Sequence, residues 1–110
     1  MKYKVFIKET ALHNIESISE AILNISESIN IAERYIDGLY KEIQKLSIYG
    51  ISLPFCQNKD VVNMYGKYIR RMNYKKVAVL FYVDNDTILV QEIKFQHNIM
   101  GEIVKKIPNS

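Results

Sequence analysis

Apolar and polar positions change rhythm along this chain, and the changes divide it into elements. Tyr3, Val5 and Ile7 alternate with Lys4, Phe6 and Lys8, the period-two pattern of a half-buried strand over residues 2–8. The period then lengthens. Leu12, Ile15, Ile18, Ile22 and Ile25 recur every three or four residues, one apolar stripe of an amphipathic helix. Thr10 stands before it as a suitable N-cap, because its hydroxyl can accept from the orphan N–H groups of the first turn. Ser26-Glu27-Ser28 interrupts the stripe. Ser28 or Asn30 then caps a second helix, striped with Ile29, Ala32, Ile36, Leu39, Ile43 and Leu46. Two such helices with a short break predict an antiparallel helical hairpin. Gly38 inside the second costs up to about 1 kcal/mol against Ala and suits a point of close packing.

Residues 47–64 lose the pattern. Gly50, Pro54 and Asn58 break helices, so an irregular segment is expected, with Leu53-Pro54-Phe55-Cys56 laid over the core. Tyr65 to Met72 reads as a strand weakened by Gly66, with Tyr68 and Arg70 on one face and Ile69 and Arg71 on the other. Lys76 to Val83 and Thr87 to Phe95 are rich in β-branched and aromatic residues and flank Asp84-Asn85-Asp86. They predict an antiparallel hairpin. Residues 98–107 form a short amphipathic helix or tail before Pro108. The order is β–α–α–β–β–β. A helical hairpin burying its stripe on a small, twisted, mostly antiparallel sheet is a two-layer α+β domain.

Composition adds little to this until charge is placed along the chain. A length of 110 residues predicts a single domain over 1–110, burying about two-thirds of its unfolded surface. One cysteine, Cys56, leaves no internal disulfide, which fits a reducing compartment. No apolar segment suits a signal peptide or a membrane span, so a cytoplasmic protein without a membrane partner is expected. Residues 59–76 hold Lys59, Lys67, Arg70, Arg71, Lys75 and Lys76 against Asp60 alone. That local excess of five positive charges either faces a polyanion or is a solvated edge that blocks aggregation. No metal cluster, glycine-rich phosphate loop or serine elbow is recognisable, and no cofactor is implied.

Several stretches together resemble the RelE/ParE superfamily of bacterial toxins. These are Arg71 entering a strand, Phe81-Tyr82 near the end of the next, the charged turn at Asp84–Asp86, Val90-Gln91-Glu92-Ile93, and Phe95-Gln96-His97. Glu9-Thr10-Ala11, Ala32 and Pro54 fit the same pattern, so the resemblance covers nearly the whole chain. It implies a toxin that arrests growth and is neutralised by a cognate antitoxin. Some relatives cut mRNA on the ribosome. Others, with an extension like residues 98–110, act on DNA gyrase. A homodimer is left open, as is a catalytically inactive binding module, a decayed toxin whose sole partner is an antitoxin.

Metal-free RNA cleavage needs a base for the 2′-hydroxyl, cations for the charged phosphorane and an acid for the leaving oxygen. On the resemblance, His97 supplies the acid or base and Arg71 a fork for phosphate. Arg70, Lys75 and Lys76 hold the backbone, and Tyr68 or Tyr74 stacks on a base. The chain departs from the pattern at Glu92, where many relatives carry Arg, and at Asn98, where many carry a second basic residue. Both departures weaken a nuclease site.

Overall fold

In the computed structural model, residues 2–96 are described. The hairpin forms where the sequence predicts it. Strand β3 spans Val77–Asp84 and strand β4 spans Thr87–Phe95, closing on Asn85, whose left-handed φ of 55° an Asn tolerates well. Arg70–Tyr74 forms β2, joined to β3 by a second two-residue turn with Lys75 at φ 50°. Lys4–Ile7 forms β1. The sheet order is β1-β4-β3-β2, with β1 parallel to β4 and the other pairs antiparallel.

Two helices cover one face of this sheet. Helix α1 spans Glu9–Ser26 and α2 spans Ile29–Tyr49. Ala11, Ile15 and Ile18 of α1 and Tyr35, Leu39, Ile43 and Leu46 of α2 meet Met72, Val77, Val79, Phe81, Ile88, Val90 and Ile93. Ser28 caps α2, its hydroxyl accepting from the Ile31 N–H at 3.2 Å. Thr10 is not a cap, because α1 begins one residue before it. Its hydroxyl donates instead to the Gln91 carbonyl at 3.1 Å. Gln91 is the extra residue of a β-bulge, since Leu80 pairs with Glu92 and Phe81 with Val90. The Asn14 side chain accepts from the Ile93 N–H at 3.0 Å. These bonds satisfy the β4 edge beyond the end of β1. With α1 held this close, Ala11 rather than Leu12 faces the core, and Leu12 is exposed.

The segment expected to be irregular contains a third helix. After α2 and one 3-10 turn at Gly50–Ser52, Lys59–Tyr65 forms α3. Asn58 starts this helix rather than breaking it, its side chain accepting from the Val61 N–H at 3.1 Å. Gly66, at φ 91°, ends it. The strand therefore begins at Arg70, not Tyr65. The expected extended segment is present: Phe55 bridges to Arg70, and the Cys56 N–H donates to the Ile69 carbonyl at 2.7 Å. Helix α3 lies on the sheet face opposite α1 and α2. There Cys56, Val61, Ile69 and Leu80 make a second small core, with Tyr65 and Tyr82 against it. The α+β class and the order of elements hold, with α3 added over the far face. Residues 97–110, including the short helix expected at 98–107, lie outside the described residues.

Candidate functional site

Strand register sorts the basic residues of the sheet by face. Residues paired directly across strands point the same way, and neighbours along a strand point oppositely. Arg71, Leu80 and Glu92 form one row across β2, β3 and β4, and Asn73, Ala78 and Lys94 form the next. Both rows face away from α1 and α2. Arg70 pairs with Phe81 and turns toward the helical side. Its guanidinium donates to the Ile51 carbonyl at 3.3 Å and to the Leu53 carbonyl, and stacks on the Phe55 ring at 4.4 Å. Arg70 therefore fastens the loop after α2 and does not share a surface with Arg71.

The other candidates also separate. The Lys75 ammonium lies 5.5 Å from the Tyr35 ring centre and 5.4 Å from that of Tyr74, cation–π contacts. Tyr68 is 62% exposed and meets Phe55 edge to face at 5.5 Å, well away from that turn in the β2 register. The Lys76 carbonyl accepts from the Gln96 N–H at 3.0 Å, so the end of β4 runs beside the Lys75–Lys76 turn. Arg71 lies some four residues up the ladder from that end, roughly 13 Å along the strand. His97 lies outside the described residues.

Sequence reasoning missed the group that occupies the middle of this face. The Tyr65 hydroxyl, carried there by α3, donates to the Glu92 carboxylate at 2.8 Å. The Tyr82 hydroxyl donates to the Tyr65 carbonyl. Burial first, and the Glu92 carboxylate second, push the Tyr65 phenol up to about 12, so it is a neutral donor at physiological pH and no base. Leu80, between Arg71 and Glu92, is 0% exposed under α3. The two charged residues stand two strands apart, roughly 10 Å between their Cα atoms, with a sealed leucine between them. The Arg71 Nε donates to the Asn73 side-chain oxygen at 2.7 Å. Recognising Asn58 and Gly66 as helix start and stop signals would have found α3, the element that carries Tyr65.

This face can bind an anion at Arg71 and offers a carboxylate at Glu92. Among the described residues, no three His, Cys, Asp or Glu side chains gather to hold a metal ion, and no helix is long and apolar enough to cross a membrane.

No protein-family profile and no curated sequence matches the chain. Solved structures do match. A chain of the chromosomal ParDE TA system from P. aeruginosa superposes with a TM-score of 0.70 at 9% identity, covering 86% of this chain and 96% of that one. A chain of the toxin–antitoxin complex RelBE2 from Mycobacterium tuberculosis gives 0.62 at 10% identity, covering 87% and 93%. The chain has the RelE/ParE toxin fold. The likeness is one of backbone, spanning the helical hairpin and the sheet together.

Proposed function

We propose that this chain is the toxin of a type II toxin–antitoxin pair, arresting growth unless its cognate antitoxin is present. We further propose that it acts by binding a protein, DNA gyrase being the family precedent, rather than by cutting RNA. The first part rests on the fold, which matches nearly the full length of a chain from a ParDE system. The second rests on one observation: α3 fills the middle of the sheet face, sealing Leu80 and tying Glu92 to Tyr65. The Glu92 carboxylate, on the same face as Arg71, repels a phosphate chain crossing it, and Arg70 is turned away on loop carbonyls.

A second reading, cleavage of mRNA on the ribosome, draws support from the bond between Gln96 and Lys76. The basic turn thereby adjoins the point from which the chain continues to His97. Under it, His97 and Arg71 carry the chemistry, and Lys75, Lys76 and Tyr68 hold the RNA. One set of assays separates the readings. Induced expression should arrest a bacterial culture, and co-expression of the adjacent open reading frame should restore growth. Purified protein should inhibit DNA supercoiling and leave message intact in a translating extract. Cut message, with cutting abolished in His97→Ala, replaces the gyrase reading with the nuclease one. Growth without arrest leaves a binding module.

A further inference from the structure

A cleft of about 510 Å³ opens beside α3, and neither Arg71 nor Glu92 lines it. Cys56 and Val62 contribute apolar surface to its walls, together with Phe55 and Tyr68, and Lys59 and Lys67 stand at it. No carboxylate lines it, and neither lysine pairs with an acid among the described residues. Asp60 is the one acid within the basic stretch 59–76, and it does not line the cleft. Two unpaired ammonium groups around an apolar hollow attract a negative ligand with an apolar side chain to bury.

We infer that this cleft docks an acidic, leucine- or aromatic-bearing peptide segment of the antitoxin. The assignment of the peptide to an antitoxin rests on the toxin reading above. A peptide fits better than a nucleic acid strand because each ring already carries a cation over one face. The Lys67 ammonium lies over the Tyr68 ring at 5.2 Å and the Arg70 guanidinium over the Phe55 ring at 4.4 Å. The two rings meet at 70°, so they offer no parallel pair between which a base could slide. The ammonium hydrogens remain free for carboxylates, and the cleft accepts an aliphatic side chain.

The test uses the full chain and three probes: a short fluorescein-labelled peptide alternating Glu and Leu, its Lys/Leu counterpart, and single-stranded RNA. The Glu/Leu peptide should bind in low salt, and the double variant Lys59→Glu/Lys67→Glu should weaken it by about tenfold. Tyr68→Ala, at an exposed position, should weaken it without unfolding the protein. Equal affinity in the double variant, or RNA outcompeting the peptide at these residues, overturns the inference. Growth arrest by the unmodified chain reports on the toxin reading separately. Peptide bound in the cleft of a chain that arrests nothing removes the toxin activity and upholds the cleft. Arrest with no cleft binding removes the cleft alone.

Discussion

At the scale of single residues, three tyrosines report on the packing of this molecule. Tyr74 packs edge to face on Tyr35 at 5.5 Å and runs across α2 at Gly38. A Cβ added to Gly38 would meet the Tyr74 hydroxyl and lie 3.0 Å from its ring carbon Cζ. Gly38→Ala gains up to about 1 kcal/mol of helix propensity but forces apart a packed pair, at a cost of about 1–3 kcal/mol. The expected outcome is net destabilisation in urea unfolding. Tyr74→Phe removes the nearest clashing atom, so the cost of Gly38→Ala should shrink in that background. Tyr65 carries a pH prediction. Its phenol is raised from 10.0 to about 12, chiefly by burial and then by Glu92. A raised folded-state value favours the neutral form, so the contribution is whole below pH 10 and is lost as pH climbs toward about 12. Tyr49, raised to about 12 by burial and by its bond to Glu42 at 3.1 Å, loses stability over the same window. Tyr65→Phe should make the alkaline fall in urea midpoint shallower and leave Tyr49's share. An unchanged slope would mean that Tyr65 is neither buried under α3 nor bonded to Glu92 in solution.

At the scale of elements, start and stop signals decide what is legible. The β3–β4 hairpin reads from sequence because both strands are β-rich and the turn residue Asn85 suits its left-handed φ of 55°. Ser28 reads as a cap because Ile31 lies three residues on. Helix α3 escapes the pattern because it has only seven residues, and by local propensity Asn58 reads as a breaker and Gly66 as a weak point in a strand. The same logic exposes a weak joint. α1 ends with Glu27 in the left-handed region at φ 56°, its N–H donating to the Leu23 carbonyl at 2.8 Å. This is the position that favours glycine. A carboxylate there also opposes the negative end of the helix dipole. Glu27→Gly should raise the unfolding free energy by about 1 kcal/mol, measurable as a higher urea midpoint at unchanged slope. A lower midpoint would show that Glu27 makes a contact that outweighs its backbone strain.

At the scale of the whole molecule, the alternation of the last strands encodes which face each residue takes, so Arg70 and Arg71 separate on paper. What no local pattern encodes is that Arg70 is spent on the Ile51 and Leu53 carbonyls, or that β1 lies parallel beside β4. Both are contacts between distant stretches. The second has a kinetic consequence. β2, β3 and β4 are joined by two-residue turns, whereas Lys4 must find Thr87 and Val5 must find Ile88 across nearly the whole chain. Closing that loop costs entropy before any contact compensates it, so β1 should dock after the main barrier. Val5, packed on the core edge, and Val79, buried in the middle of the sheet, offer matched probes. Val5→Ala should speed unfolding and leave the folding rate nearly unchanged, a φ-value near zero. Val79→Ala should slow folding, with a clearly larger value. Stopped-flow chevrons of the two variants decide it. Equal φ-values would mean that the parallel pair forms together with the hairpin, so that α1 and α2 must already be folded as a unit when the sheet assembles.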